Sequence, residues 1–204
     1  MMNQYLIDTE FAIQSLFDIV THELDQIAKL KIELEKHVDT SNRIIAEAYY
    51  VTDQDVDDLE TPGVYANRHG YARHLFEAYS IKAKIEEAYN TKDSSIRTLY
   101  GSILQIAKQG LSSVYGKTIQ TAFIEPKSGE SIHNIILQGR NQSLHYEEGV
   151  FRKPVNDCFM NLQQAFGSDF DITIEENKAK YVVLNVLGWR TYNEYLTTMQ
   201  QLLP

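Results

Sequence analysis

The chain has 204 residues, 43% of them apolar, a length and composition that fit one domain with a sizeable core. Its formal net charge is -9, and residues 1–60 hold 14 acids against 4 bases while the remainder is almost balanced. That balance excludes a strong non-specific nucleic-acid binder but leaves room for a local basic site in the last two thirds. A single cysteine, Cys158, excludes an intrachain disulfide and a cysteine-ligated zinc centre.

With 10 glycines and 4 prolines, long stretches run without a breaker, which favours helices over a turn-rich β fold. The start Met1-Met2-Asn3-Gln4 has no basic segment leading into an apolar run. No stretch is apolar enough to span a bilayer, so the expected compartment is the cytoplasm and no membrane is expected as a partner.

In chain order, residues 5–37 predict one long helix, its stripe formed by Ile13, Leu16, Phe17, Val20, Leu24, Ile27, Leu30 and Leu34. Thr40 or Ser41 is placed to cap a second helix that runs to Tyr50. Residues 51–65 break the pattern with Asp53, Asp55, Asp57, Asp58 and Glu60 before Pro62-Gly63. A calcium loop needs glycine at its sixth position and a bidentate glutamate at its twelfth, where Asp58 and Val64 stand. The stretch therefore reads as a solvated acidic loop.

Helix returns over 66–90, turns at Asn90-Thr91, and resumes to about Tyr115 with a bend or interruption at Gly110. The stripe of this last piece is Ile96, Leu99, Ile103, Ile106, Ala107, Leu111 and Val114. Residues 116–130 read as a hairpin or an ordered loop, with a turn at Glu125–Gly129. Ser131 suits the cap of a helix that ends at Glu147-Glu148-Gly149. Pro154 suits the first turn of another, ending near Gly167. A last helix is expected from Glu175 or Asn177 through Leu202. The sum is an all-α chain, a helical bundle of six or seven helices with a long N-terminal helix, read as one domain. Residues 1–60 form an acidic helical segment of it and 66–204 the core.

Chemistry concentrates in Arg140-Asn141-Gln142-Ser143-Leu144-His145. Arginine offers a planar fork of donors that matches phosphate oxygens, and histidine can take and return a proton near neutral pH. Together they suffice for metal-free RNA cleavage, in which a ribose 2′-hydroxyl attacks the adjacent phosphorus. Asn141 and His145 are four apart and share a helix face. Arg140 and His145 are five apart, roughly 140° around the axis at about 3.6 residues per turn, so a straight helix does not aim both at one point. Either the helix loosens near His145, or a second subunit completes the site across a two-fold axis.

The run resembles the Arg-x4–6-His motif of the HEPN superfamily, in which a polar residue, commonly asparagine, often follows the arginine. The resemblance implies a compact helical bundle and, for many members, a metal-independent endoribonuclease of toxin–antitoxin, phage-defence or CRISPR-linked systems, acting at a homodimer interface. It implies that Arg140 binds phosphate and stabilises the transition state, that Asn141 assists, and that His145 is the general acid/base. It also implies an RNA substrate, no cofactor, and an antitoxin or defence protein as a further partner. A second match, Arg68 to His74, is interrupted by Gly70 and lacks the asparagine.

Around the motif, Tyr146 can stack on a base or bond a phosphate, and Arg152-Lys153 add positive charge where an RNA backbone would pass. Asn67–His74 forms a small basic cluster that lines a substrate surface or neutralises the acidic loop. His133 lies two turns before Arg140 and reads mainly as packing. Cys158, beside Phe159 and Met160, reads as core. His22-Glu23 lacks the second histidine of a zinc helix, and no metal is expected. The rival function is a helical interaction or regulatory protein that uses its tyrosines and acidic third as binding surfaces. A nucleotide-transfer enzyme is weaker, because Glu86-Glu87 has no second motif to match.

Overall fold

The computed structural model describes residues 3–54, 62–118 and 120–204, and within these the side chains other than those of 47–54, 62–69 and 71. Among the described residues the chain is all-α. Its helices are α1 (Gln4–Gln54), α2 (Pro62–Tyr115), α3 (Ile132–His145), α4 (Lys153–Phe166), α5 (Ala179–Tyr181) and α6 (Tyr192–Leu202). No helix is long and apolar enough among the described residues to cross a membrane. The chain divides into two compact units, Met1–Glu23 with Ser94–Pro204, and Leu24–Asp93.

Both long helices are more continuous than the sequence predicts. The Thr40 hydroxyl donates to Lys36 O at 2.9 Å and the Ser41 hydroxyl to His37 O at 2.9 Å. Bonding back by four residues lets a hydroxyl residue sit inside a helix, so neither starts a new one. Thr91 does the same, donating to Glu87 O at 2.9 Å, and α2 runs through Asn90-Thr91 without a turn. Within Leu24–Asp93, Ile27, Ser41, Ala78 and Ile85 are buried. The acidic stretch falls largely on 55–61, outside the described residues.

The other unit holds the core. From α1 it buries Leu6, Ile13, Phe17 and Val20, and from α2 Ile96, Tyr100, Ile103, Leu104, Ala107 and Leu111. Val114, assigned by spacing to the same stripe, is instead exposed. Gly110 does not interrupt α2. It is where α2 meets the N-terminal turn of α1: a Cβ there would lie 2.7 and 2.8 Å from Tyr5 ring carbons and 3.1 Å from Leu203 Cδ1. The Tyr5 hydroxyl donates to Ile106 O at 2.8 Å, which holds the ring down on that glycine.

Residues 116–130 form an ordered loop closed by one antiparallel bridge, Ile124 to Ser131, rather than a developed hairpin. Glu125 organises its turn by accepting from the Lys127 and Ser128 backbone N–H groups and from the Ser128 hydroxyl. These bonds hold its carboxyl below the ordinary value, against the burial that raises it most. Ser131 caps α3, accepting from Asn134 N–H at 3.1 Å. Pro154 sits in the first turn of α4, and Gly167, at φ +98°, ends that helix with its N–H on Gln163 O.

The expected single last helix is three pieces. Asn177 and Lys178 are buried, and the Asn177 carbonyl oxygen Oδ1 accepts from Ala179 N–H as α5 begins. α5 widens at once into a π-helical turn, Val182–Val186. Gly188, at φ +69°, then ends the run, a left-handed conformation that glycine adopts without a Cβ penalty. Thr191 and Glu194 form a capping box that starts α6. The interruption buries Trp189, whose indole N–H donates to Thr198 Oγ1 at 3.0 Å.

α3 packs against α4, α5 and the π-helical turn. Close approach is possible at Gly139, where a Cβ would meet Val182 Cγ1 at 3.0 Å and Leu104 Cδ1 at 3.3 Å. Substituting Gly110 by alanine is expected to destabilise the fold by about 1–3 kcal/mol, because Tyr5 must leave its hydrogen bond to make room. A urea unfolding curve with an unchanged slope and a lower midpoint checks this.

Candidate functional site

The site is built by the rotation of α3 about its own axis. Gln142 and Ser143, in the middle of the motif, are buried. Gln142 Nε2 donates to Glu176 O at 2.8 Å, and Gln142 Oε1 accepts from Lys178 N–H at 2.8 Å. The Ser143 hydroxyl donates to Arg140 O at 2.9 Å. With these two turned inward, Arg140, Asn141 and His145 are left to line a cleft of about 550 Å³. That volume lies within the range of small-molecule sites, about 300–1,000 Å³.

α3 ends at the histidine of the motif. His145 is the last residue of α3, its backbone at φ -122° and ψ 15°, and a 3₁₀ turn, Tyr146–Glu148, follows. Arg140 and His145 both line one cleft within a single copy of the chain. The 3₁₀ turn also carries Glu148 back, so that His145 Nδ1 lies 2.6 Å from Glu148 Oε1. Both side chains are about half exposed, at 50% and 64%. A carboxylate only accepts, so Nδ1 carries the hydrogen and Nε2 is the nitrogen left for other partners.

Arg140 is held from two sides. Its Nε donates to Gln105 Oε1 on α2 at 2.5 Å and its Nη1 to Asn141 Oδ1 at 3.1 Å. Among the described residues no carboxylate lies within ion-pair distance of it. Arg152, at the N-terminal edge of α4, faces the same cleft. The charged residues that line the cleft are thus two arginines, Arg140 and Arg152, and one acid, Glu148, a balance that favours an anion. Leu137, Val150, Phe151, Pro154 and Val155 supply an apolar wall.

Two residues expected near the motif are not brought to the cleft. The Tyr146 hydroxyl donates to Glu147 Oε1 at 2.9 Å, and that bond, with some burial, raises its pKa. Lys153 pairs with Asp157 at 2.7 Å on an exposed face of α4. In the Leu24–Asp93 unit, Arg73 pairs with Glu77 at 3.1 Å and His74 lies 3.9 Å from the same carboxylate. The side chains of Arg68 and His69 lie outside the described residues.

Cys158 is fully buried, and burial pushes its thiol far above the ordinary range, which fits a core residue and not a nucleophile. No cluster of three or more histidine, cysteine or acidic side chains suited to a metal occurs among the described residues. Gln138, Glu148, Phe151 and Gln105 escape the sequence reading. Gln138 has a legible signal, being four residues from Asn134 and three from Asn141. Gln105 has none, because it is brought in by tertiary packing alone. No family model, curated protein or solved structure matches the chain.

His133 is a packing residue of the 116–130 loop. It is buried, its ring lies 5.9 Å from that of Tyr115, and its Nδ1 accepts from Gln120 N–H at 3.1 Å. Burial lowers its pKa, since the protonated ring loses water and could no longer accept that bond. A folded pKa below the unfolded one gives stability that is complete above the unfolded value, about 6.5, and is lost as pH falls through the folded value. Hydrogen exchange of the Gln120 amide is expected to lose protection, relative to amides of α2, as pH falls through that window. A His133→Gln variant should show no such window.

Proposed function

We propose that the chain is a metal-independent endoribonuclease of the HEPN type. The observation that carries this reading is the common cleft of Arg140, Asn141 and His145, with Arg152 beside them and α3 ending at the histidine. An RNA phosphate seated between the guanidinium groups would have its ribose 2′-hydroxyl toward His145 Nε2. The imidazole takes the 2′-hydroxyl proton as the oxygen attacks phosphorus. The bond from phosphorus to the 5′-oxygen breaks, and the imidazolium returns a proton to that oxygen. The products are a 2′,3′-cyclic phosphate and a 5′-hydroxyl.

Each group has a separate task. Arg140 stabilises charge on the phosphoryl oxygens, and Arg152 holds the backbone. Glu148 orients the imidazole and stabilises its protonated form, the part a carboxylate plays behind many catalytic histidines. Tyr146 and Lys153, which lie off the cleft, would act only on flanking RNA. Leu144 and Val150, exposed at 54% and 80%, are apolar side chains on which a second copy of the chain would sit. An antitoxin or defence partner would dock on the same side or on α1.

A second reading, a non-catalytic interaction or regulatory protein, draws on Phe11, which projects from α1 at 82% exposure. Incubation with RNA and a chelator separates the two. The unaltered chain is expected to yield cyclic-phosphate ends, and His145→Ala or Arg140→Ala to lower the rate by about 10²-fold or more, as loss of a positioned acid/base or oxyanion donor does. Undiminished cleavage by His145→Ala would remove that residue from the chemistry. No cleavage by the unaltered chain would favour the second reading.

A further inference from the structure

Asn141 is the end of a longer line of side chains. Asn161 Nδ2, on α4, donates to Glu130 Oε1 at 2.7 Å, and Asn134 Nδ2 donates to Glu130 Oε2 at 2.7 Å. Gln138 Nε2 donates to Asn134 Oδ1 at 3.0 Å, and Asn141 Nδ2 donates to Gln138 Oε1 at 3.2 Å. Arg140 Nη1 then donates to Asn141 Oδ1 at 3.1 Å. The steps of four and three residues keep these side chains on one strip of α3. The strip begins just before the Ser131 cap and ends in the cleft.

The line has a direction, and its ends set it. A guanidinium only donates, and a carboxylate only accepts. Each amide between them must accept on the Arg140 side and donate on the Glu130 side. Turning any one of Asn134, Gln138 or Asn141 over would set donor against donor or acceptor against acceptor. Gln138 is 3% exposed, so water offers it little substitute. Aligned amides also polarise one another, which strengthens the whole line.

We infer that Glu130, Asn134 and Gln138 are positioning residues for the cleft. They form a one-way relay that keeps the Asn141 carbonyl toward Arg140 and thereby sets the guanidinium. Gln105 engages Nε and Asn141 engages one Nη1 hydrogen. Three of the five N–H groups remain for an anion. The relay exists independently of any reaction, and only its consequence for catalysis rests on the nuclease reading.

Two variants test it. Asn134→Ala cuts the line six residues before Arg140, about 9 Å along the axis at about 1.5 Å per residue. Alanine suits a helix better than asparagine, so the fold is retained. The double variant Glu130→Gln/Asn134→Asp moves the acceptor-only end one turn toward the cleft. The introduced glutamine accepts from Asn161 and donates to the introduced aspartate, which accepts from Gln138, and the downstream direction is unchanged.

The readouts are the nuclear magnetic resonance signals of the Arg140 Nε–H and the Asn141 side-chain amide, with RNA cleavage in chelator alongside. Asn134→Ala is expected to displace both signals and speed their exchange with solvent. It should slow cleavage about tenfold to hundredfold, the usual cost of losing an orienting partner. The double variant should keep both signals and the rate of the unaltered chain. Unmoved signals in Asn134→Ala, or equal displacement in the double variant, overturn the relay. If the unaltered chain cleaves no RNA while the signals respond as stated, the nuclease reading fails and the relay stands.

Discussion

The candidate site depends on one buried amide. Gln142 is fully buried and spends its donor on Glu176 O and its acceptor on Lys178 N–H. Losing either partner would leave a buried polar group unsatisfied, at about 1–3 kcal/mol. That penalty fixes which side of α3 faces inward. Once Gln142 points at the 176–178 segment, Arg140, roughly 160° around the axis, points away from it. The segment that receives Gln142 is itself pinned: Lys178, 1% exposed, pairs with Glu176 at 2.7 Å, and Arg97 pairs with the other oxygen of that carboxylate at 2.8 Å.

The second determinant is where α3 stops. A helix repeats its geometry residue after residue, so two groups five apart start roughly 140° from each other around its axis. Here the repeat ends at His145, and a 3₁₀ turn returns Glu148 to the imidazole. The turn thus supplies the carboxylate that chooses the tautomer of the histidine. Gly149, at φ +65°, lets the chain leave that turn toward α4, which brings Arg152 to the cleft.

Polar side chains run through this unit as connected lines and not as isolated pairs. Along α3, Gln142 reaches the buried 176–178 segment while Asn134, Gln138 and Asn141 bond to one another and end on Arg140. A helix can carry such a line because residues three and four apart lie side by side on its surface. The result is a charged residue whose orientation is shared among α2, α3 and α4, through Gln105, Asn141 and, at the far end, Asn161. Such sharing holds an arginine in place without a carboxylate to neutralise it, so its charge remains available to a ligand.

The sequence by itself determined the helical class, the long first helix, the Ser131 cap, the stop at Gly167 and the burial of Cys158. Each follows from local rules: periodicity of apolar residues, a hydroxyl at a helix start, a glycine at its end. It also singled out Arg140, Asn141 and His145, because residue type and spacing are local properties. Only the tertiary structure decided that Thr40, Ser41 and Thr91 lie inside helices, since a hydroxyl residue caps or bonds backward according to what the next residues pack against. The same holds for the divided last helix, where burial of Trp189 and Lys178 outweighs the continuity of the apolar stripe. Tertiary packing alone brought Gln105 to the motif, and it kept Arg152, expected from the sequence, at the cleft while leaving Tyr146 and Lys153 off it. Proximity in sequence says little about which way a side chain faces once the helix beneath it ends.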